Sequence, residues 1–123
     1  MVRYQEKAIG SRVLENYRFL KKIAKSKSEN KRFLLLRNAT KDQLLCLVEV
    51  AANILSSNFS LNKRQKEKLT PHANYLRSLA RVRSETGARR IVQKGSGAVF
   101  PALLIPIITE ATRHLLINSF GNV

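Results

Sequence analysis

Thr40-Lys41-Asp42-Gln43-Leu44-Leu45-Cys46-Leu47-Val48-Glu49-Val50-Ala51-Ala52-Asn53-Ile54-Leu55 is the most informative run in the chain. It opens on Thr-x-x-Gln, a capping box. The Thr40 hydroxyl and the Gln43 amide can each satisfy a backbone N–H that the first helical turn leaves without a partner. Asp42 adds a negative charge at the positive end of the helix dipole. Leu44, Leu47, Val48, Ala51 and Leu55 then share one face, and between Leu44 and Leu55 only Glu49 and Asn53 break the apolar girth. A helix this apolar all round belongs at the centre of a core or under a partner. Its end is expected near Ser57-Asn58.

The flanking segments follow the same period. Upstream, Val13, Tyr17, Leu20 and Ala24, with Leu14 beside them, predict a helix over residues 11–25. Residues 26–32 read as a polar connection, and Phe33 to Leu36 as a helical turn or two. Downstream, residues 61–69 form a charged segment, and Thr70-Pro71 reads as a new helix start with Thr as cap and Pro at the first position. The helix from Pro71 to about Arg83 carries Tyr75, Leu76, Leu79 and Val82 on one side. Ser84 is expected to cap a short helix, Glu85 to Lys94, which tolerates Gly87 in its first turn and stops at Gly95.

Beyond it, residues 95–109 hold no charge. A membrane-spanning helix needs about 20 apolar residues, so this run is too short to span. Pro101 can open a helix there, and Pro106 inside it costs roughly 3 kcal/mol or bends it. Thr112 to Phe120 again reads as helical. With no strand-period alternation, the expected fold is all-α: a small domain of four to six helices with a Pro-containing apolar C-terminal segment.

Charge supplies the functional direction. The chain has 123 residues, 23 Lys+Arg against 8 Asp+Glu, and a net charge of +15. Its hydrophobic content of 44% is too high for a disordered tail, so the charge sits on something that folds. Residues 1–94 carry 22 of the bases and 7 of the acids, a net of +15, whereas residues 95–123 carry Arg113 and Glu110, a net of zero. That division suggests a basic helical nucleic-acid-binding domain over 1–94, then a Gly joint and apolar segment over 95–123.

The bases fall in five clusters: Arg18, Lys21, Lys22, Lys25 and Lys27; Lys31, Arg32 and Arg37; Lys63, Arg64, Lys66 and Lys68; Arg77, Arg81 and Arg83; Arg89, Arg90 and Lys94. One cluster alone reads as a solvated helix face. Five with few acids between them repel one another, and a polyanion relieves that repulsion. Duplex DNA carries two charges per base pair, so +15 balances about seven or eight pairs. Bases spread over several elements suit phosphate neutralisation better than base reading. The residues expected to contact phosphate are Lys63, Arg64, Lys66, Lys68, Arg77, Arg81, Arg83, Arg89, Arg90 and Lys94.

Little in the sequence points to catalysis. His72 and His114 have no Cys, Asp or Glu at ligand spacing, no carboxylate pair stands out, and no metal or other cofactor is expected. The single cysteine, Cys46, excludes an internal disulfide and reads as a small buried thiol.

The stretch from Ala88 to Ile108, Arg89-Arg90 leading into Gly95-Ser96-Gly97 and then Phe100-Pro101-Ala102-Leu103-Leu104-Ile105-Pro106, resembles the carboxyl half of the adenovirus core protein X family, precursors of the mu peptide. It is also similar to small basic proteins of Polinton/Maverick elements and adintoviruses. The resemblance implies a virion core protein that condenses double-stranded DNA, located in the virion or the host nucleus. It further implies a processing joint at Gly95, Ser96 and Gly97. Residues 98–108 would then serve self-association, capsid docking or a membrane surface, or would close the domain's own core. Two other readings fit the composition: an RNA-binding or ribosome-associated structural protein, and a membrane-surface-active interaction protein.

Overall fold

In a computed structural model of the chain, residues 11–56, 61–94 and 99–121 are described. The Thr40 capping box forms as its sequence dictates. Gln43 N–H donates to Thr40 Oγ1 at 3.1 Å and Thr40 N–H donates to Gln43 Oε1 at 2.9 Å. The helix it starts runs Lys41–Leu55, ends on Ser56, and buries Leu44, Cys46, Leu47, Val50 and Ala51. The buried arc is therefore rotated toward Cys46 and Val50, and Leu55, expected on the core face, is 40% exposed.

The described helices, in chain order, are α1 (Ser11–Glu15), α2 (Tyr17–Lys25), α3 (Glu29–Arg37), α4 (Lys41–Leu55), α5 (Lys63–Leu69), a 3-10 turn (Thr70–His72), α6 (Ala73–Ala80), α7 (Glu85–Lys94) and α8 (Val99–Gly121). Joining α1 to α2, and α5 through the 3-10 turn to α6, leaves six helical runs among the described residues. The fold is a small all-α domain.

Several boundaries differ from the sequence reading for identifiable reasons. The first helix is interrupted at Asn16, whose amide Nδ2 donates to Arg12 O at 2.8 Å and to Asp42 Oδ2 at 2.7 Å. That side chain trades helix continuity for a tie to the start of α4. The polar connection shrinks to residues 26–28, because Ser28 Oγ accepts from Lys31 N–H at 3.2 Å and caps α3 there. Residues 61–69 are not a plain charged segment: Asn62 and Gln65 repeat the capping box, with both bonds at 2.9 Å. Thr70 is no cap. Its backbone is helical and its hydroxyl donates back to Lys66 O at 2.8 Å. Pro71, whose missing N–H costs least near a helix start, sits in the 3-10 turn instead. Ser84 does cap α7, accepting from Gly87 N–H at 3.1 Å.

The composition boundary at Gly95 is not a packing boundary. Val99, Phe100, Leu103, Leu104, Ile107 and Ile108 are buried in the same core as Val13, Leu20, Ile23, Leu44, Leu47, Leu76, Leu79 and Val92. Of the roles expected for residues 98–108, closing the domain's own core is the one that Val99 to Ile108 fill. α8 packs chiefly against α2 and also touches α4 and α5. Tyr17 Oη and Thr112 Oγ1 share a 2.5 Å hydrogen bond along that seam. Tyr75 meets the Phe100 ring edge-on at 6.2 Å and donates from its hydroxyl to Ile91 O at 2.9 Å. Pro106 is accommodated inside α8 and is itself buried. No single helix among the described residues is long and apolar enough to cross a membrane.

Two outcomes follow from this packing. Phe100→Ala, which empties a fully buried position, is expected to cost about 3–5 kcal/mol in urea denaturation. Ile105→Ala, at a half-exposed position of the same helix, is expected to stay within about 0.5 kcal/mol.

Burial pushes the Cys46 thiol from 9.0 up to about 12, with Glu49 and Asp42 adding to the rise and Arg12 opposing it. The raised group is neutral when protonated. Its contribution is therefore complete below pH 9.0 and is lost as the pH climbs toward about 12. Urea midpoints of the wild type and Cys46→Ala, compared at neutral pH and at pH above 9.0, should show the wild type losing its relative advantage at the alkaline end.

Candidate nucleic-acid interface

Few of the bases are neutralised within the fold. Among the described residues there are two ion pairs, Arg12–Asp42 at 3.2 Å and Arg89–Glu85 at 3.0 Å. Both are partly exposed and contribute little to stability. Among the described residues, most of the other bases are exposed to solvent.

Nine of the ten residues expected to contact phosphate are exposed. Lys63, Arg64, Lys66 and Lys68 project from α5, which buries only Leu69. Arg77 extends from α6 and holds Asn74 Oδ1 at 2.8 Å. Arg81 and Arg83 lie in the turn between α6 and α7, and Arg90 and Lys94 lie on α7. α6 and α7 pack against each other and both pack on α4, so the bases of that pair belong to one region of the surface. α5 is joined to it through the 3-10 turn.

Arg89 is the exception. Its Nη1 donates to Arg37 O at 3.1 Å, and its Nη2 donates to Ala39 O at 3.1 Å and to Glu85 Oε2 at 3.0 Å. A guanidinium with fixed, forked donors can take up several carbonyls at once. Here it ties α7 to the C-terminal end of α3 and the α3–α4 turn. Arg32, counted in a basic cluster, is likewise structural: it is 8% exposed and donates from Nη1 to Ser26 O. Gly95, Ser96 and Gly97, the expected processing joint, lie outside the described residues.

One constellation was not among the expected contacts. Lys22 and Lys25 on α2, Lys27 in the connection and Lys31 on α3 surround a depression of about 660 Å³, together with Ser26, Ser28 and Leu35. All four lysines are exposed, and no acid lines it. The signal was present in sequence as Ser28, a capping residue, followed by Glu29 in the first helical turn. It needed the α3 start to be recognised, because only a tight three-residue connection folds Lys31 back toward Lys22 and Lys25. A second cavity of about 220 Å³ lies between α3 and the α7–α8 region and includes Glu29, Arg32, Phe33, Val92 and Phe100.

Compared with protein-family models, curated proteins and solved structures, the chain matches none. The site is read from its own geometry.

His72 is half-buried in the 3-10 turn, and no group of three His, Cys, Asp or Glu among the described residues is placed to hold a metal ion. What the surface offers is a distributed set of mobile ammonium and guanidinium donors on rigid helices. Such a set binds phosphates as charges and leaves base edges unread.

Arg89 and Arg90 provide an internal comparison, since Gln at either position removes one charge. Arg89→Gln is expected to cost about 1–3 kcal/mol of stability through its lost carbonyl bonds. Arg90→Gln should leave the thermal midpoint unchanged and weaken polyanion binding.

Proposed function

We propose that this protein binds double-stranded DNA without sequence preference and condenses it by neutralising phosphate charge, as a core protein of a viral or virus-like element. The observation that carries the reading is the surface imbalance. The 22 bases upstream of Gly95 face 7 acids, and two ion pairs are formed among the described residues. A shell of one sign around an apolar core stores repulsion that a polyanion releases. Exposed bases on α5, α6 and α7 and in the α6–α7 turn supply many phosphate contacts from several elements, which suits charge neutralisation without base readout.

The packaging role, as distinct from nucleic-acid binding in general, rests on the resemblance of Ala88–Ile108 to adenovirus core protein X. The membrane alternative has less to draw on. The apolar block that would enter a bilayer interface is spent on the core at Val99, Phe100, Leu103, Leu104 and Ile107.

Fluorescence anisotropy on duplexes of unrelated sequence over a salt series tests the reading. The duplexes should bind alike, and log affinity should fall linearly with log salt at about 0.9 per phosphate contact. Replacing Lys63, Arg64, Lys66 and Lys68 by Gln should reduce that slope by up to about 3–4. Affinity indifferent to salt, or a strong preference for structured RNA over duplex DNA, overturns it.

A further inference from the structure

The bases described above differ in one physical respect. Lys63, Arg64, Lys66 and Lys68 on α5, Arg77 on α6, and Arg90 and Lys94 on α7 are exposed on helices whose other faces pack into the core. Lys22, Lys25, Lys27 and Lys31 instead surround a concave surface, with Leu35 in its lining and the buried Ile23 and Ala24 on the helix behind it. A cleft lined by charges of one sign and walled by apolar material focuses the field, because the lines cannot spread through the low-dielectric side. The same number of charges therefore attracts an anion more strongly there than on a convex face.

The cradle is also held in shape. Arg32 reaches across the connection to Ser26 O, Ser26 Oγ donates to Ser28 O at 3.2 Å, and Ser28 caps α3 through Lys31 N–H. The four lysines form no ion pair among the described residues. Their ammonium groups thus need not abandon a protein partner to take a ligand.

Size limits the ligand. A volume of about 660 Å³ is that of roughly twenty liquid waters. A single inorganic phosphate leaves most of that space as water, whereas a run of linked phosphates fills more of it.

We infer that the Lys22–Lys25–Lys27–Lys31 cradle is the preferred seat for a chain of linked phosphates. On the proposed function, that chain is the DNA backbone. The neighbouring apolar pair Phe33 and Leu34, about half exposed, makes an anionic lipid surface the competing occupant. A depression of about 660 Å³ suits an extended chain of phosphates better than a flat lipid surface.

Two variants that each remove four exposed charges separate focusing from simple charge count. They are K22Q/K25Q/K27Q/K31Q and K63Q/R64Q/K66Q/K68Q. The first should lose about tenfold or more duplex affinity beyond the loss of the second, at the lower end of the 10–10³ gain a focusing cleft confers. Inorganic tripolyphosphate, titrated into the wild-type chain and followed by amide NMR shifts, should perturb residues 22–35 first. Far-UV circular dichroism and thermal midpoints of both variants confirm that the comparison is between folded chains.

Equal losses in the two variants overturn the inference and leave DNA binding by charge neutralisation standing. Tripolyphosphate shifts centred on α5 also overturn it. A wild-type chain that ignores duplex DNA but shows tripolyphosphate shifts at residues 22–35 refutes the proposed function and keeps the cradle. Tighter, cradle-dependent binding to phosphatidylserine vesicles than to either phosphate chain assigns the site to lipid and overturns the inference.

Discussion

The burial of a neutral helix beneath a strongly basic shell is the constraint on which the other features rest. Like charges at this density push a small fold apart. Apolar burial has to exceed that repulsion, and α8 contributes part of it through the shared core. α2 offers Phe19, Leu20, Ile23 and Ala24 on one face, and its principal cover is α8. The lack of charge at Val99, Phe100, Leu103, Leu104, Ile107 and Ile108 follows directly. A base at any of those positions would be buried, at a desolvation cost of several kcal/mol. Neutrality at one end and charge over the remainder are two sides of one requirement.

Charge placement on the outer shell reflects the same balance. Where two bases would crowd the interior, the fold converts them into structural donors. Arg89 collects the carbonyls left over at the end of α3, and Arg32 bridges the α2–α3 connection. Each thereby removes an unsatisfied acceptor from a helix end or turn while keeping its own charge hydrogen-bonded. The other bases stay in water, where their desolvation costs nothing until a ligand arrives.

The all-α class and the main core helices were legible because they depend on local chemistry. The Thr40–Gln43 box and the 3.6-residue period of Leu44 to Ala51 act within a few residues of themselves. The Asn62–Gln65 box is equally local, but it lies inside a run of lysines whose charge dominates the reading. Thr70-Pro71 has the right residues for a helix start and lacks the extended backbone that a cap requires, since the preceding turn continues through it. The carbonyl partners of Arg89 lie 50 and 52 positions away, so no spacing rule announces them. The lysine cradle was hidden for a related reason. Its four members were visible as charges, but their convergence depends on a connection three residues long, set by the Ser28 cap.

The position of α8 in chain order has a consequence for biosynthesis. α8 is made after the other described helices, and 22 of the 23 bases precede it. At about 5–20 residues per second, the segment from Gly95 to Thr109 follows Lys94 by roughly one to three seconds. During that interval α2 lacks its principal cover, and the basic region is a growing chain with an open apolar face. The bases are therefore displayed before the core that fixes their positions is closed, and completion of α8 sets both at once.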